Sequence, residues 1–498
     1  MNDLKKSDPA VVAMRPANKG RQRPAEPVEP RAGAEGNPGS QSTRRAQKRA
    51  SVSQAADRIR QAAKGNPDER LVALLHHITV PVLEEAFHSL KRDAAAGVDG
   101  VTWDMYAEGL EDRLVDLHAR IHRGAYRAPP VRRVEIPKPD GGKRPLGIAS
   151  LEDKIVQKAV TDTILVPIYE TEFLGFSYGF RPGRGAHNAL DALAVGITRR
   201  KVNWIVDADI RGFFDNVDRN WLVRFLEHRI GDKRVIRLIT KWLNAGVMKG
   251  TDWTNTGRGT PQGAIVSPVL ANAYLHYVLD LWVHKSWRKR KVEGDMIIVR
   301  YADDFVTGFQ HRWEAERFLD DLRARLARFG LALHPDKTRL IEFGQFASAD
   351  RKNRGQGKPE TFEFLGMTHF CGTTRNGKFR LGRRPSRKRA GRTLRRIKEE
   401  LRKRMHMGKH EVTRWLGRVI DGWLNYFAVP GTSGALRAFV LAVKRLLLRT
   451  LRRRSQKDRT DWPAIDRLVG LHWPRPTIRH PWPDQRFAVM TQGRSPVR

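Results

Sequence analysis

Hydrophobic and polar residues follow helical or strand periodicities from Val52 onward, after a segment that shows neither. Residues 1–51 are rich in Pro, Gly, Ala, Arg, Gln and Ser and nearly lack large aliphatic side chains. Such a segment cannot bury enough apolar surface to offset the entropy of ordering, so we predict a disordered basic arm over residues 1–51. Helical spacing of apolar residues then predicts helices over residues 82–95, 110–122, 151–169, 221–229, 267–283, 313–329, 412–427 and 436–451.

Residues 297–309 carry two runs of β-branched and aromatic side chains that flank two adjacent carboxylates. This pattern predicts a β-hairpin with Asp303 and Asp304 at or beside its turn. Two neighbouring anions repel and raise each other's pKa unless a cation neutralises them. The hairpin therefore predicts a divalent metal site on oxygen ligands, with Mg²⁺ as the favoured ion. A solvated Asp-Asp turn is the alternative that this pair alone leaves open.

A second acidic strand is predicted upstream, over residues 202–210. Its apolar residues alternate with Asp207 and Asp209, so both carboxylates face the same side of the strand. If this strand pairs with the hairpin, three aspartates converge on two metal ions about 3.5–4 Å apart, an arrangement that drives in-line phosphoryl or nucleotidyl transfer.

Residues 131–148 predict another hairpin, with cations on both arms. The chain alternates as a strand through Pro137, turns at Asp140-Gly141-Gly142 and returns as a second strand. Lys138 and Arg144 are thereby placed to meet a triphosphate, the lysine as a point charge and the arginine as a planar fork. A solvated basic hairpin is the alternative interpretation.

Charge restricts the class of partner. The chain has 93 Lys and Arg against 54 Asp and Glu, a formal net charge of +39 with pI near 11.0, which is the electrostatic footprint of a phosphate-backbone binder. The single cysteine, Cys371, excludes a disulfide framework and a Cys-based zinc site. Because no apolar run approaches the ~18–20 residues that span a bilayer, we expect no membrane span and a cytoplasmic location, with the bacterial nucleoid as an alternative address.

The C-terminal part predicts a helix crowded with positive charge. Nine arginines and lysines lie between residues 383 and 398, while only Leu394, Ile397 and Leu401 can pack inward. Like charges at i and i+4 destabilise an isolated helix, and bound phosphates would relieve that repulsion. With the helices that follow, this segment predicts an all-α module that binds nucleic acid.

The acidic strands and a series of short motifs in a fixed order resemble the bacterial group II intron-encoded reverse transcriptase/maturase family, in the form without a C-terminal endonuclease domain. The palm motif is Tyr301-Ala302-Asp303-Asp304, preceded by the strand that ends Asp209-Ile210-Arg211-Gly212-Phe213-Phe214-Asp215. The other motifs are Gly97-Val98-Asp99-Gly100, the segments 136–148 and 177–184, Gly259-Thr260-Pro261-Gln262-Gly263, His334-Pro335-Asp336-Lys337-Thr338, Phe364-Leu365-Gly366 and the segment 422–427.

The resemblance implies an α+β fold, a right-hand polymerase with fingers and an antiparallel palm sheet, followed by an all-α thumb or maturase X domain. On this basis the basic arm covers residues 1–51, the fingers and palm residues 52–375, the thumb residues 376–473 and a C-terminal tail residues 474–498. After Arg454 the chain carries two histidines and no cysteine, so no Cys/His nuclease domain is expected.

The resemblance also implies a role for each matched residue. Asp209, Asp303 and Asp304, with the backbone carbonyl of Ile210, would be the ligands of two Mg²⁺ ions, with Mn²⁺ as the alternative metal. The implied nucleotide site consists of Lys138, Arg144, Phe214, Gln262, Gly263 and Lys337. The implied template and primer contacts are Arg181, Arg184, Leu365 and Gly366. The implied RNA-binding residues of the thumb are Arg387, Lys388, Arg392, Arg395 and Arg396.

Two of these roles have alternatives. Phe214 is placed to exclude a ribose 2′-hydroxyl, and a palm-core phenylalanine is the alternative, for which Phe213 is the better candidate. Lys337 would protonate departing pyrophosphate, and a plain salt bridge is the alternative.

The implied function is RNA-directed DNA synthesis joined to maturase activity, in which the protein binds group II intron RNA to promote splicing and retrohoming. The partners would be the intron RNA, an RNA template with a DNA primer, dNTPs and target DNA; the oligomeric state is left open. The alternatives are a host-adopted reverse transcriptase in antiviral defence or repair, an RNA-binding splicing cofactor without polymerase activity, and another palm-bearing nucleotidyl transferase.

Overall fold

The computed structural model describes residues 40–137, 142–249, 252–254, 259, 263–374, 376–454 and 459–491. Helices dominate the N-terminal part, and one hairpin follows them. The elements are α1 (Ser40–Gly65), α2 (Val80–Ser89), α3 (Trp103–Ala107), α4 (Leu110–His122), β1 (Val131–Pro137) and β2 (Lys143–Ile148).

The central part alternates helices and strands. Its elements are α5 (Leu151–Val160), α6 (Val166–Glu172), α7 (Ala186–Arg199), β3 (Trp204–Asp209), α8 (Phe213–Asn216), α9 (Arg219–Glu227), α10 (Lys233–Asn244), β4 (Val247–Lys249), β5 (Asp252–Thr254), α11 (Ser267–Leu275), β6 (Met296–Tyr301), β7 (Asp304–Phe309), α12 (Arg312–Arg328) and β8 (Arg339–Glu342). Short 3₁₀ or π-helical segments cover Leu75–His77, Thr161–Leu165, His276–Asp280 and Val283–Lys291.

The C-terminal part begins with a small sheet and becomes all-helical. Its elements are α13 (Ala347–Asn353), β9 (Phe362–Phe364), β10 (Met367–Thr373), β11 (Phe379–Pro385), α14 (Arg387–Lys403), α15 (Lys409–Phe427), α16 (Ser433–Arg452), α17 (Trp462–Gly470) and α18 (Pro483–Thr491).

The palm is built on a four-stranded antiparallel sheet in the order β6-β7-β3-β8. Because side chains alternate between the faces of a strand, the sheet separates two hydrophobic cores. Val206 and Phe305 pack into the core of the fingers and palm helices. Ile205 and Val306 pack into the core that α7 shares with the thumb helices. The predicted α+β fold with an antiparallel palm sheet and a helical C-terminal module is confirmed.

Several predicted boundaries differ from the structure. Helix α1 begins at Ser40, inside the segment predicted to be disordered, because its Arg, Lys, Gln and Ala residues favour a helix even where few side chains can be buried. The helix predicted over residues 151–169 continues to Glu172, since the π-helical turn Thr161–Leu165 brings Pro167 to the first turn of α6. Asp218 caps α9, accepting hydrogen bonds from the N–H groups of Asn220 and Trp221.

The segment after α17 joins the thumb to the palm. Trp473 donates from its indole N–H to the carbonyl of Thr413 in α15, and α18 then packs on α7 of the palm, where Arg486 pairs with the buried Asp191 at 2.7 Å. Within the part of the chain that the structure describes, no helix has both the length and the apolar character needed to cross a membrane.

Candidate active site

The two acidic strands pair side by side, as predicted. β3 and β7 are antiparallel neighbours, and their register sets Asp209 opposite Asp304 and Asp207 opposite Val306. Residues that face each other across a strand pair lie on one face of the sheet, as do residues two apart in one strand. Asp207, Asp209 and Asp304 therefore share the face that packs against the thumb core.

The turn that carries Asp303 has a strained backbone. Ala302, between β6 and Asp303, has φ +58, in the left-handed region, which costs a residue other than glycine of order 1 kcal/mol or more. The turn also leaves little space, because a Cβ atom added to Gly179 would overlap the amide nitrogen of Ala302. The loop around Gly179 thus presses directly on the turn and helps to hold it.

Arg300 is the centre of a buried hydrogen-bond network beneath this turn. Its side chain is fully buried, and its guanidinium binds the Asp280 carboxylate through Nε at 2.7 Å and Nη2 at 2.5 Å. It also donates to the Ala302 carbonyl at 2.9 Å, to Asn272 Oδ1 at 2.9 Å and to Ser177 Oγ at 2.8 Å. All five N–H donors of the guanidinium are used, and one of them fixes the strained residue.

Burial and the neighbouring carboxylates oppose the ionisation of Asp304. Burial is the main cause that raises the pKa of Asp304 to about 7, and the neighbouring carboxylates of Asp207, Asp303 and Asp209 raise it further. Burial likewise raises the pKa of Asp207. A hydrogen bond from the backbone N–H of Leu365 acts in the opposite direction on Asp304. A set of close, oxygen-only anionic donors fits a divalent cation, whose charge would favour the ionised forms.

Two cations already contact this set. Lys337 Nζ lies 2.9 Å from Asp209 Oδ2, and Arg339 Nη2 lies 3.2 Å from Asp207 Oδ2. Among the described residues, no three His, Cys, Asp or Glu side chains are gathered at metal-binding distances, since Asp209 and Asp207 each turn toward their own cation. The Lys337 ammonium therefore already neutralises part of the negative charge that a metal ion would bind.

Comparison with known proteins agrees with this geometry. Residues 136–369 match the family model "Reverse transcriptase (RNA-dependent DNA polymerase)", and residues 390–467 match "Group II intron, maturase-specific domain". The protein YkfC of Escherichia coli is 32% identical over 314 residues, an alignment that covers 56% of this chain and 81% of YkfC.

The chain belongs to the reverse transcriptase family.

It is an RNA-directed DNA polymerase with a group II intron maturase domain. The group II intron-encoded protein LtrA of Lactococcus lactis is 36% identical over 231 residues, covering 45% of this chain and 38% of LtrA. An uncharacterized 91 kDa protein in a cob intron of Schizosaccharomyces pombe is 28% identical over 435 residues, covering 73% of this chain and 50% of that protein. Membership implies a divalent metal cofactor and nucleic acid substrates.

In this reverse transcriptase, Leu365 and Gly366, two of the predicted template and primer contacts, lie beside the carboxylate of Asp304. Leu365 and Gly366 have positive φ values of +49 and +77 and form the connection between β9 and β10. The Tyr426 hydroxyl of α15 donates to the Leu365 carbonyl at 2.6 Å, while the Leu365 N–H binds Asp304. One residue of the loop thus joins a thumb helix to the catalytic strand.

The two arginines predicted to contact the template do not have free side chains. Arg181 is buried, and its guanidinium binds both carboxylate oxygens of Glu170 at 2.8 Å. Arg184 donates to the carbonyls of Gly175 and Ser177 at 2.7 and 3.2 Å. Both arginines therefore hold the loop that supports the catalytic turn, and the prediction of direct template contact by Arg181 is corrected to a structural role.

The predicted nucleotide site is described in part. Phe214 is half-buried beside the fully packed ring of Phe213, which agrees with the prediction that Phe213 is the core residue. Gly263 has φ +105, and a Cβ atom there would lie 2.8 Å from the carbonyl oxygen of Gly147. Lys138, Gln262 and the side chain of Arg144 lie outside the described residues.

The predicted thumb cations form an exposed row on α14. The helix turns Ile397 and Leu401 inward, as predicted, and the five predicted RNA-binding residues all lie on its accessible side: Arg387, Lys388, Arg392, Arg395 and Arg396. A cavity of about 290 Å³ lies beside them, lined by Arg389, Arg392, Tyr426 and two further residues. The exposure of these cations leaves their contact with a phosphate backbone as a prediction.

Sequence reasoning overlooked Arg300, Asp280 and Tyr426 as supports of the site. A charged residue inside the apolar strand Met296–Tyr301 was a usable signal for Arg300, because an arginine in a buried strand requires a buried partner. Nothing in the sequence identified Asp280 as that partner, since it lies 20 residues away in a π-helical segment.

Proposed function

We propose that Asp209, Asp303 and Asp304 are the catalytic carboxylates of this reverse transcriptase and hold two Mg²⁺ ions, with the backbone carbonyl of Ile210 as a further ligand. The observation that carries the proposal is the register of β3 and β7, which sets Asp209 directly opposite Asp304 with Asp303 adjacent in the turn. Bound Mg²⁺ ions supply Lewis-acid stabilisation of the triphosphate and activate the attacking 3′-hydroxyl.

The protein's own residues position the reactants. Asp209 would hold a metal ion, and Lys337, whose ammonium lies 2.9 Å from Asp209 Oδ2, would donate a proton to departing pyrophosphate. Phe214 excludes a ribose 2′-hydroxyl by its bulk, and Gly263 allows the backbone to approach the nucleotide closely. Lys138, Arg144 and Gln262 complete the nucleotide site in this proposal.

In this proposal, the primer and the RNA bind to separate surfaces of the protein. Leu365 and Gly366 hold the primer end next to Asp304, and the exposed cations of α14 bind RNA. The maturase domain implies group II intron RNA as the partner. Binding of this RNA would promote splicing and retrohoming into target DNA. A cytoplasmic site of action accords with this set of substrates.

Primer extension tests the catalytic proposal. Purified protein is given an RNA template, a DNA primer, dNTPs and Mg²⁺, and the Asp303→Ala/Asp304→Ala variant is compared with Glu316→Ala/Asp320→Ala, which removes two exposed carboxylates of α12. We expect the catalytic variant to lose roughly 10³-fold or more in rate and the control to keep the wild-type rate. Full activity in the catalytic variant would contradict the assignment.

Binding of RNA tests the maturase role independently. The Asp303→Ala/Asp304→Ala variant should bind structured RNA as tightly as the wild type, because the α14 cations remain. Replacing Arg387, Arg392 and Arg395 by Gln should weaken that binding and lower its salt dependence by about 0.7–0.9 per lost phosphate contact. An unchanged salt dependence would remove α14 from the RNA-binding surface.

A further inference from the structure

Helix α10 and the segment that follows α4 border a groove of about 710 Å³. Its lining carries Arg127, Lys233, Arg237 and Lys241 against a single carboxylate, that of Glu227. The proposed catalytic residues lie on β3, in the β6–β7 turn and in later loops of the palm, and none of them lines this groove. The groove is therefore separate from the polymerase site.

Three of the four cations form no salt bridge with any residue that the structure describes. Arg127, Lys233 and Arg237 are exposed, and within the described part of the chain none of them forms a salt bridge. Arg234, the neighbour of Lys233, differs in this respect because it pairs with Asp232 at 3.0 Å. Among the described residues, the groove therefore carries positive charge without a salt-bridge partner, whereas the adjacent Arg234 is neutralised by Asp232.

The spacing of the helical cations is regular. Lys233, Arg237 and Lys241 follow one another at i, i+4 and i+8, so each lies about 6 Å further along one face of α10. Like charges at this spacing destabilise an isolated helix. A polymer with one negative charge in each repeating unit could pair with all three cations and so relieve their repulsion. A small anion could contact only part of the row.

The groove is preformed. Val235, Ile239 and Trp242 bury the opposite face of α10, and the Trp242 indole N–H donates to the Tyr126 hydroxyl at 3.0 Å. Lys241 Nζ donates to the Gly124 carbonyl at 2.9 Å, which joins the helix to the other wall. A ligand would therefore meet fixed walls and would not have to order them.

We propose that this groove binds the phosphodiester backbone of structured RNA and forms an RNA contact distinct from the row on α14. Charge complementarity and the linear spacing of the cations select a nucleic acid backbone. The choice of RNA over DNA rests on the proposed maturase role, in which a folded RNA is the resident partner. Double-stranded RNA is recognised largely through its shape and backbone, which a row of cations can follow.

A thiol placed in the groove gives a local test. Thr240 lines the groove, and Thr240→Cys adds a thiol of nearly the same size; Ser348→Cys, on an exposed position of α13, is the matched control. The native Cys371 contributes little background because burial raises the pKa of its thiol to about 11. A long RNA hairpin should slow alkylation of Cys at position 240 at least about fivefold, since thiol reactivity follows access, and should leave position 348 unchanged.

Charge removal gives the second test. Arg127→Gln/Lys233→Gln/Arg237→Gln is compared with Arg92→Gln/Arg312→Gln/Arg323→Gln, which removes equal charge from exposed, already paired arginines. For the RNA hairpin, the slope of log affinity against log salt should fall by about 2 to 3 in the groove variant. The control should change the slope by less than about 1.

Two outcomes would overturn the proposal. Equal alkylation with and without RNA, together with equal slopes for both triple variants, would show that the groove binds no nucleic acid. If a DNA hairpin of the same sequence slows alkylation at position 240 equally, the choice of RNA is wrong and the groove binds nucleic acid backbones in general. Neither readout involves DNA synthesis, so failure of the catalytic proposal would not be mistaken for failure of this one.

Discussion

Phe214 and Phe213 are adjacent in sequence but have different environments. Phe213 is almost fully buried, whereas Phe214 keeps part of its ring exposed at the start of α8. If Phe214 excludes the ribose 2′-hydroxyl, Phe214→Val should raise the ratio of ribonucleotide to deoxynucleotide kcat/KM by about 10- to 100-fold, because the variant pocket admits the extra oxygen.

Steady-state incorporation of single dNTPs and rNTPs checks this prediction. Phe346→Val, at an exposed phenylalanine in a different part of the chain, should leave the ratio unchanged. A ratio that stays at the wild-type value in Phe214→Val would reassign Phe214 to the palm core.

Asp153 gives the fingers a pH-dependent stability. Burial raises its pKa to about 7, and the Tyr126 hydroxyl donates to it. Because the folded-state pKa lies above the unfolded value, the protonated form stabilises the fold; this contribution is complete below about pH 4 and is lost as pH rises through about 7, by at most about 1.4 kcal/mol per pH unit.

Thermal melting at several pH values checks this effect. Relative to Asp153→Asn, which cannot ionise, the wild type should lose melting temperature between about pH 4 and about pH 7 and change little above that. Asp162→Asn, at a half-exposed carboxylate paired with Lys158, is the matched control and should track the wild type. A constant difference between the wild type and Asp153→Asn would mean that Asp153 is ionised throughout.

At this scale the sequence predicted the positions of the carboxylates but not the role of every arginine. The alternation around Asp209 and the hairpin around Asp303 and Asp304 were predicted because both depend on local pattern, whereas the pairing of the two strands was only a condition of the prediction and is seen in the structure. Arg181 was misplaced because its partner, Glu170, lies 11 residues earlier in a different element. Local sequence cannot show whether a cation faces solvent or a buried anion.

The buried side chain of Arg300 supports the turn between β6 and β7. Arg300 binds Asp280 and the carbonyl of the strained residue Ala302. We expect Arg300→Lys to lower kcat by about 10- to 100-fold with little change in KM for dNTP, because a lysine cannot make the five bonds that fix the turn.

Primer-extension kinetics beside a melting curve separates positioning from folding. Loss of buried bonds should also lower the melting temperature, so the decisive quantity is kcat measured well below the transition. Arg323→Lys, at an exposed arginine of α12, should change neither value. Wild-type kcat in a folded Arg300→Lys variant would contradict a positioning role.

At the scale of elements, helix and strand type was predicted better than helix ends. α9 and α12 agree with their predicted ranges within two residues, because their apolar stripes are continuous. The helix predicted over residues 151–169 ends three residues later than predicted, because α6 continues past Pro167 to Glu172. A π-helical turn absorbs the missing hydrogen bond, and such turns have no reliable sequence signature.

At the scale of the molecule, α18 links the thumb to the palm through Arg486 and Asp191. Asp484 adds a second pair with Arg199 at 2.7 Å. Removing both by Asp484→Ala/Arg486→Ala should loosen the thumb and shorten the cDNA made in one binding event about two- to fivefold, since both salt bridges join α18 to α7.

Product lengths under single-encounter conditions, with a trap for released enzyme, check this prediction. The rate of adding the first nucleotide should stay near the wild-type value, because the catalytic turn is untouched. Lys444→Ala/Asp466→Ala removes a pair that lies within the thumb and is the matched control. Products of unchanged length would limit α18 to a passive role.

The order of the large segments along the chain was predictable, but the contacts between them were not. The predicted order of a polymerase part followed by an all-α module is confirmed by the two family matches, while the predicted domain bounds stay predictions. It assigned residues 474–498 to a tail, while the described part of that segment packs on α7. Contacts between segments this far apart are set by tertiary packing, which periodicity does not encode.

The contact between α18 and α7 also limits when the protein can finish folding during its synthesis. Asp191 leaves the ribosome ~300 residues before Arg486, its partner in the folded protein, which at 5–20 residues per second is about 15–60 s. Throughout that interval the face of α7 that receives α18 stays uncovered. The nascent chain must be kept from aggregation over that time, and complete joining of thumb to palm can only follow the synthesis of α18.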